Sequence, residues 1–291
     1  MLIKNEAKDT IFCKTHLLNM GGKPYSIDSP MIMGILNITP DSFHDGGKYN
    51  TAENAVNRVR EMLNEGASII DIGPSSTRPG AASLSAKEET DRIKTVLPTL
   101  KKEFPDTIFS LDTYQAEVAR AGADMGVHII NDISGGTMDA KMPKTMANIK
   151  LPYVLMHIQG TPQNMQKDPQ YKNVFEEVSY FFSKQMNTFL DAGVADIILD
   201  PGFGFGKNLD HNYELLAKLD LLKIFQRPIL VGVSRKSMIN KLLDISAKDA
   251  LNGTTVVNTI ALQKGADILR VHDVKAAAEA LKILTFTQKF S

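Results

Sequence analysis

A (β/α)8 barrel of the TIM type is the architecture that the 291 residues predict, and three observations point to it. Short, nearly continuous apolar runs rich in β-branched residues recur about eight times. Longer stretches with helical spacing separate them, and no linker or low-complexity segment breaks the alternation. The runs are MIMGILNI (31–38), SIIDIG (68–73), TIFSLDT (107–113), VHIINDI (127–133), PYVLMHI (152–158), DIILDPG (196–202), PILVGVS (228–234) and DILRVHD (267–273). Their continuous apolarity suits strands buried on both faces, as parallel strands are.

The intervening segments carry helix signals. Over 50–66, Ala52, Val56, Val59 and Leu63 fall at steps of three and four and mark one apolar stripe. Asn50 with Glu53, and Ser85 with Glu88, have capping-box spacing at the two helix starts. Ahead of the first strand, IFCKTHLLNMGGKPYSI holds two apolar runs around Gly21 and Gly22, the pattern of a β-hairpin that would plug the bottom of the barrel. An open doubly wound sheet is the alternative arrangement of the same units. Residues 1–291 read as one domain, a size that barrels of this class reach as a single unit.

Composition narrows the function. The chain has 33 basic and 33 acidic side chains, so its formal charge is zero, which argues against nucleic acid as a partner. No run reaches the roughly 18 apolar residues of a membrane span. The opening MLIKNEAKDTIFCK lacks the apolar run of a signal peptide, and the expected location is cytoplasmic. Cys13 is the one cysteine, which rules out an intramolecular disulfide and reads as a small buried apolar residue.

Polar residues gather where the predicted strands end: Asn37, Asp112, Asn131 and Asp132, His157, Asp200, Ser234, and then Arg270 and His272 on the last strand. Strand ends and the loops after them converge at the C-terminal mouth of such a barrel, where active sites lie. Asp200 or Asp273 taken alone reads better as a cap for the next helix. The set as a whole does not, because Asn131, Arg270 and His272 precede the predicted strand ends. GFGFGK fails as a Walker loop: Pro201 stands where the first Gly belongs, and Asn208 replaces Ser or Thr. Lys207 likewise breaks the dinucleotide GxGxxG pattern. Neither HExxH nor GxSxG occurs. Phe203 and Phe205, alternating with glycines beside Asp200, suggest a ring held against something flat.

Eight segments, in order, resemble the dihydropteroate synthase family of the folate pathway: GILNITPDSFHDGG, DIGPSSTRPG, LDTY, NDISGG, MHIQGTP, LDPGFGFGK, GVSRKS and RVHDV. The resemblance implies condensation of 6-hydroxymethyl-7,8-dihydropterin pyrophosphate with 4-aminobenzoate, giving 7,8-dihydropteroate and pyrophosphate, in an enzyme class that sulfonamides target. It places Asp112, Asn131, Asp200 and Lys236 on the pterin edges, with Ile133 and Met156 as apolar walls. Arg270 and His272 take the pyrophosphate, together with Asn37 through a bound Mg²⁺. Two loops, TPDSFHDGG (39–47) and PSSTRPGA (74–81), close over the reaction. Among their residues Asp45 is given to the developing cation or the amine proton, and Arg78 to the benzoate carboxylate. Phe43, Thr77, Arg78, Pro79, Phe205 and Ser237 line the 4-aminobenzoate slot, beside the stem of Lys236. The resemblance also implies a homodimer, with 247–265 and 274–290 as candidate interface helices.

The sequence departs from the family pattern at Pro74 and Ser75, where a small residue followed by an acid is usual, and at His44, where Ser or Tyr is usual. All three lie at the bases of the two loops and bear on loop closure. The competing functions are a methyltetrahydrofolate–corrinoid methyltransferase domain and a non-catalytic pterin-binding relative. The paired TPDSF and STRPG loops and the SRK lysine argue against both.

Overall fold

A computed structural model describes residues 15–38, 48–75 and 84–290. Eight parallel strands form one sheet in the order β8-β7-β6-β5-β4-β3-β10-β9. They are β3 (Met31–Asn37), β4 (Ile69–Gly73), β5 (Ile108–Asp112), β6 (Ile129–Asp132), β7 (Tyr153–Met156), β8 (Ile197–Asp200), β9 (Leu230–Val231) and β10 (Ile268–Val271). A bridge between Leu199 and Ile229, with the Leu199 amide donating to the Pro228 carbonyl at 2.9 Å, joins the two ends of the sheet. The sheet is therefore closed, and the open doubly wound alternative falls.

Around it lie α1 (Lys48–Asn64), α2 (Ala86–Glu103), α3 (Ala116–Asp124), α4 (Met142–Ile149), α5 (Val174–Asp191), α6 (Leu209–Ala217), α7 (Ser237–Leu243), α8 (Leu251–Gln263) and α9 (Val274–Thr287). Outward strand residues such as Ile70, Phe109, Leu111, Tyr153 and Leu199 bury against them in one continuous core. A Cβ at Gly34 would come within 2.7 Å of Met62 Sδ and 3.2 Å of a Val274 methyl, so α1 and α9 sit against bare backbone there. The Ser85–Glu88 capping box forms at the start of α2. At the other expected start, α1 begins at Lys48, so Asn50 lies inside the helix rather than ahead of it. The buried stripe of α1 is Ala55, Val56, Val59 and Met62. Ala52 and Leu63 fall at its margins.

The expected N-terminal hairpin is present. β1 (His16–Met20) pairs antiparallel with β2 (Lys23–Ile27) through a two-residue turn. Gly21 and Gly22 both have positive φ there, as the twist of a tight hairpin demands. Leu18, Met20 and Ile27 pack into the barrel floor against Ile69, Ile129, Val154 and Ile198. The Asn19 amide donates to Asp196 Oδ2 at 2.9 Å and anchors the plug.

Inward residues alternate along each strand. Their polarity rises toward the C-terminal end: Ile69 then Asp71, Ile108 then Ser110 and Asp112, Ile129 then Asn131, Ile198 then Asp200, and Ile268 then Arg270. A greasy floor thus carries a charged upper layer.

Candidate active site

Arg270 stands at the centre of that upper layer. Its Nε donates to Asp71 Oδ2 at 2.6 Å and its Nη2 donates to Asp112 Oδ2 at 2.7 Å. Asn131 Nδ2 donates to the same Asp71 Oδ2 at 3.0 Å. A carboxylate accepts and cannot donate, so the amide nitrogen of Asn131 must face Asp71 and its oxygen is presented elsewhere. Asp71 is fully buried and Asp112 nearly so. Burial pushes the Asp112 carboxyl up to about 7 against the pull of Arg270, with Asp71, Glu89 and Asp132 adding repulsion. Asp112 does not cap α3. That helix starts at Ala116, whose amide donates to Asp139 Oδ2 at 2.8 Å.

Asp200 ends β8, and its Oδ1 accepts from the Gly202 amide at 2.7 Å. Burial raises its pKa, opposed by Lys236. Lys236 donates from Nζ to the Phe203 carbonyl and lies 4.6 Å from the centroid of the Phe205 ring. Its ammonium is pushed down to about 8 by burial, and Asp200 resists that shift. The two phenylalanines therefore part company. Phe203 is a fully buried core residue, whereas Phe205 faces the mouth.

The turn that carries Phe205 is held from beneath by Lys207, which is 3% exposed. Its Nζ donates to the Gly202 and Phe205 carbonyls at 3.0 Å each and lies 2.9 Å from His157 Nδ1. Burial drives the Lys207 ammonium well below its ordinary range, and burial also lowers His157. His157 thus belongs to the support of the loop. Gly202 has φ +69°, and a Cβ there would stand 1.9 Å from the His157 carbonyl oxygen. Gly202→Ala is expected to cost about 3 kcal/mol or more of stability through combined strain and overlap. Urea denaturation measures it, and a loss under about 1 kcal/mol would contradict the packing described.

Apolar walls complete the mouth. Ile133, Met156, Ile158 and Met165 form one buried cluster, with Tyr114, Met138 and Phe205 packed on its edge. At the rim, His272 Nδ1 lies 3.2 Å from Ser234 Oγ. His272 follows the last residue of β10 rather than preceding the strand end, as the sequence had suggested. Asn37 closes β3, and a Cβ at Gly73 would reach within 3.0 Å of its Oδ1, so the amide lies over that glycine. Ser237 opens α7 and is exposed. Before it, Arg235 adopts φ +56° and makes a two-pronged pair with Asp273 at 2.8 Å for each bond. Asp273 is thereby committed to Arg235 and does not cap α9 by its side chain.

The sequence-predicted residues Asn37, Asp112, Asn131, Ile133, Met156, Asp200, Phe205, Lys236, Ser237, Arg270 and His272 all sit on the strand ends and loops of one mouth. Phe43, His44, Asp45, Thr77, Arg78 and Pro79 lie outside the described residues, as does Cys13. Of the departures, Ser75 and Pro74 are described, and the Pro74 carbonyl accepts from Arg92 at 2.7 Å. Asp132 is a correction to the polar mouth. It faces outward, where it accepts from the Tyr153 hydroxyl at 2.6 Å and from the Ser134 and Gly136 amides. Asp71 and Lys207 were not expected at all.

Among the described residues, a cavity of about 760 Å³ opens on the flank between α1 and α9, lined by residues such as Arg60, Glu61 and Lys282, away from the strand ends. Also among the described residues, no group of three or more His, Cys, Asp and Glu is placed to hold a metal. One half-buried amide oxygen at an open rim, that of Asn37, suits a hard cation that keeps most of its waters, which is the behaviour of Mg²⁺.

Acid and amide acceptors on a barrel's upper layer, with Met156 and Phe205 packed beside them, are the kind of site found at the catalytic mouth of a (β/α)8 enzyme. A family model described as pterin binding enzyme matches residues 33–272. Dihydropteroate synthase of Escherichia coli (strain K12) is 46% identical over 268 residues, covering 91% of this chain and 94% of the relative. That of Haemophilus influenzae is 42% identical over 91% of this chain and 97% of its own. Among solved structures, the Yersinia pestis dihydropteroate synthase in a sulfonamide drug complex superposes with a TM-score of 0.88 at 43% identity, covering 94% of this chain and 100% of that one. The Xanthomonas albilineans dihydropteroate synthase with 4-aminobenzoic acid gives 0.88 at 36% identity, over 94% and 99%. The chain belongs to the dihydropteroate synthase family of pterin-binding enzymes, which are transferases.

Proposed function

We propose that the chain condenses 6-hydroxymethyl-7,8-dihydropterin pyrophosphate with 4-aminobenzoate, releasing pyrophosphate and forming 7,8-dihydropteroate. The observation that carries this reading is the buried set of Asp112, Asn131 and Asp200 beside two cations, Arg270 and Lys236. The amino-pyrimidinone edge of a pterin offers N–H donors, and Asp112, Asp200 and the Asn131 oxygen accept them in a slot that excludes water. Lys236 donates to the acceptor edge of the ring, and Ile133 and Met156 pack on its faces.

Breaking the C–O bond to pyrophosphate leaves a cationic methylene on the ring and an anion at the rim. Buried carboxylates favour the first, and Arg270 with His272 stabilises the second. An SN1-like path follows, in which the weakly basic arylamine attacks the cation and loses its proton afterwards. Mg²⁺, held by Asn37 with its own waters, would neutralise the charge of the leaving pyrophosphate. Phe205, Ser237 and the stem of Lys236 form the described side of the 4-aminobenzoate slot, and Phe43, Thr77, Arg78 and Pro79 complete it. Asp45 takes the developing cation or the amine proton. Sulfonamides, which resemble 4-aminobenzoate, would compete in that slot. We also assign the chain as one cytoplasmic domain acting as a homodimer through its last two helices. No helix among the described residues is long and apolar enough to cross a membrane.

Incubating the protein with both substrates and Mg²⁺ should yield dihydropteroate and pyrophosphate in equal amounts, followed by chromatography and a coupled phosphate assay. Absence of both products, with the chain folded, would refute the proposal.

A further inference from the structure

We propose that Asp71 is a positioning residue for the condensation, setting the amide polarity of Asn131 and pivoting the Arg270 guanidinium on its Nε. The inference rests on the function proposed above and adds a residue to it. Asp71 sits mid-strand on β4, fully buried, two residues below the strand end. One oxygen, Oδ2, takes both Arg270 Nε and Asn131 Nδ2. The other, Oδ1, is buried with no hydrogen-bond partner among the described residues, and so is the hydroxyl of Ser110, its register neighbour on β5.

Two consequences follow from that asymmetry. A buried carboxylate with one bare oxygen depends on its guanidinium, and removing that partner would leave an uncompensated charge. Arg270 therefore cannot leave Asp71 to reach an incoming pyrophosphate. It can release only Nη2, which now sits on Asp112, and rotate about the fixed Nε. Substrate binding thus exchanges one partner of the guanidinium while the other holds. The second consequence concerns Asn131. With its nitrogen tied to Asp71, its oxygen is the atom offered to the ligand's N–H donors. Replacing Asp71 by Asn allows the opposite arrangement, in which the new amide donates to the Asn131 oxygen and turns an NH₂ group toward a donor edge.

Asp71→Asn is expected to lower kcat/KM for the pterin substrate by about 100-fold, while the KM for 4-aminobenzoate moves by less than about threefold. A pH profile adds a readout that mere packing would not move. The charges acting on Asp112 are Arg270 on β10, Asp71 on β4, Glu89 on α2 and Lys236 in the loop before α7, with Asp132 acting from the outer face of β6. Neutralising Asp71 removes one repelling charge and leaves Arg270 wholly to Asp112, so the acidic limb should shift to lower pH by about one unit. The swapped pair Asp71→Asn with Asn131→Asp restores donor and acceptor with exchanged roles. It should regain about tenfold or more over Asp71→Asn alone. An unchanged pH limb, equal losses for both substrates, or no recovery in the swap would overturn the proposal, as would failure of both variants to fold. A wild-type protein that forms no dihydropteroate in the same series would instead refute the function itself.

Discussion

Asp112→Ala should reduce kcat/KM for the pterin pyrophosphate by about a thousandfold, because the proposed reading makes it a charged acceptor of the ring's N–H donors in a buried slot. The fold should survive. Arg270 keeps Asp71 as its partner at 2.6 Å, so no buried cation is stranded. Far-UV circular dichroism and the unfolding midpoint would check that, and calorimetric titration with a pterin analogue would read the affinity. Unchanged affinity would remove Asp112 from the slot. Asp112→Asn refines the result: its shape is kept, but an NH₂ group then meets either the ligand's donors or Arg270. The wild-type profile supplies the matching sign. With its carboxyl raised to about 7, Asp112 accepts best once ionised, so kcat/KM for the pterin substrate should climb between about pH 6 and pH 8.

Much of this arrangement was legible in the residues, for identifiable physical reasons. Strands buried on both faces leave long β-branched runs, and all eight fell where those runs lie. Gly21 and Gly22 announced the hairpin because a tight primed turn needs positive φ twice. What failed was parity. Asn131 and Asp132 are neighbours, but alternate strand residues face opposite ways, so only Asn131 enters the mouth while Asp132 serves Tyr153 and its turn. Asp71 lies in the middle of SIIDIG, away from the strand ends where mouth residues are expected. Its signal was an acid on the inward register of an otherwise apolar strand, opposite Ser110. Lys207 was hidden for a different reason. Its carbonyl cradle and His157 come together only in three dimensions, with the histidine 50 positions away in the chain.

Arg270→Met separates the electrostatic role of this residue from the pyrophosphate contact proposed for it. Two carboxylates, Asp71 at 0% exposure and Asp112 at 7%, would lose their common cation. Leaving buried charge uncompensated typically costs about 3–5 kcal/mol, and the variant should be destabilised on that scale at neutral pH. The carboxylates can relieve the cost only by binding protons, which raises their folded pKa values above the unfolded value near about 4. Between those limits the native state holds more protons than the unfolded chain, so stability falls as pH rises. Urea midpoints at about pH 5, 6, 7 and 8 should therefore show a deficit against wild type that widens with pH, since Asp112 alone already gives the parent a weaker trend in the same direction. A deficit constant across the range would mean that methionine disturbs packing and that the guanidinium carries no such electrostatic load. Activity should vanish at every pH, including pH 5, where the fold is least affected. Loss that persists where stability is nearly restored assigns the missing function to the guanidinium itself.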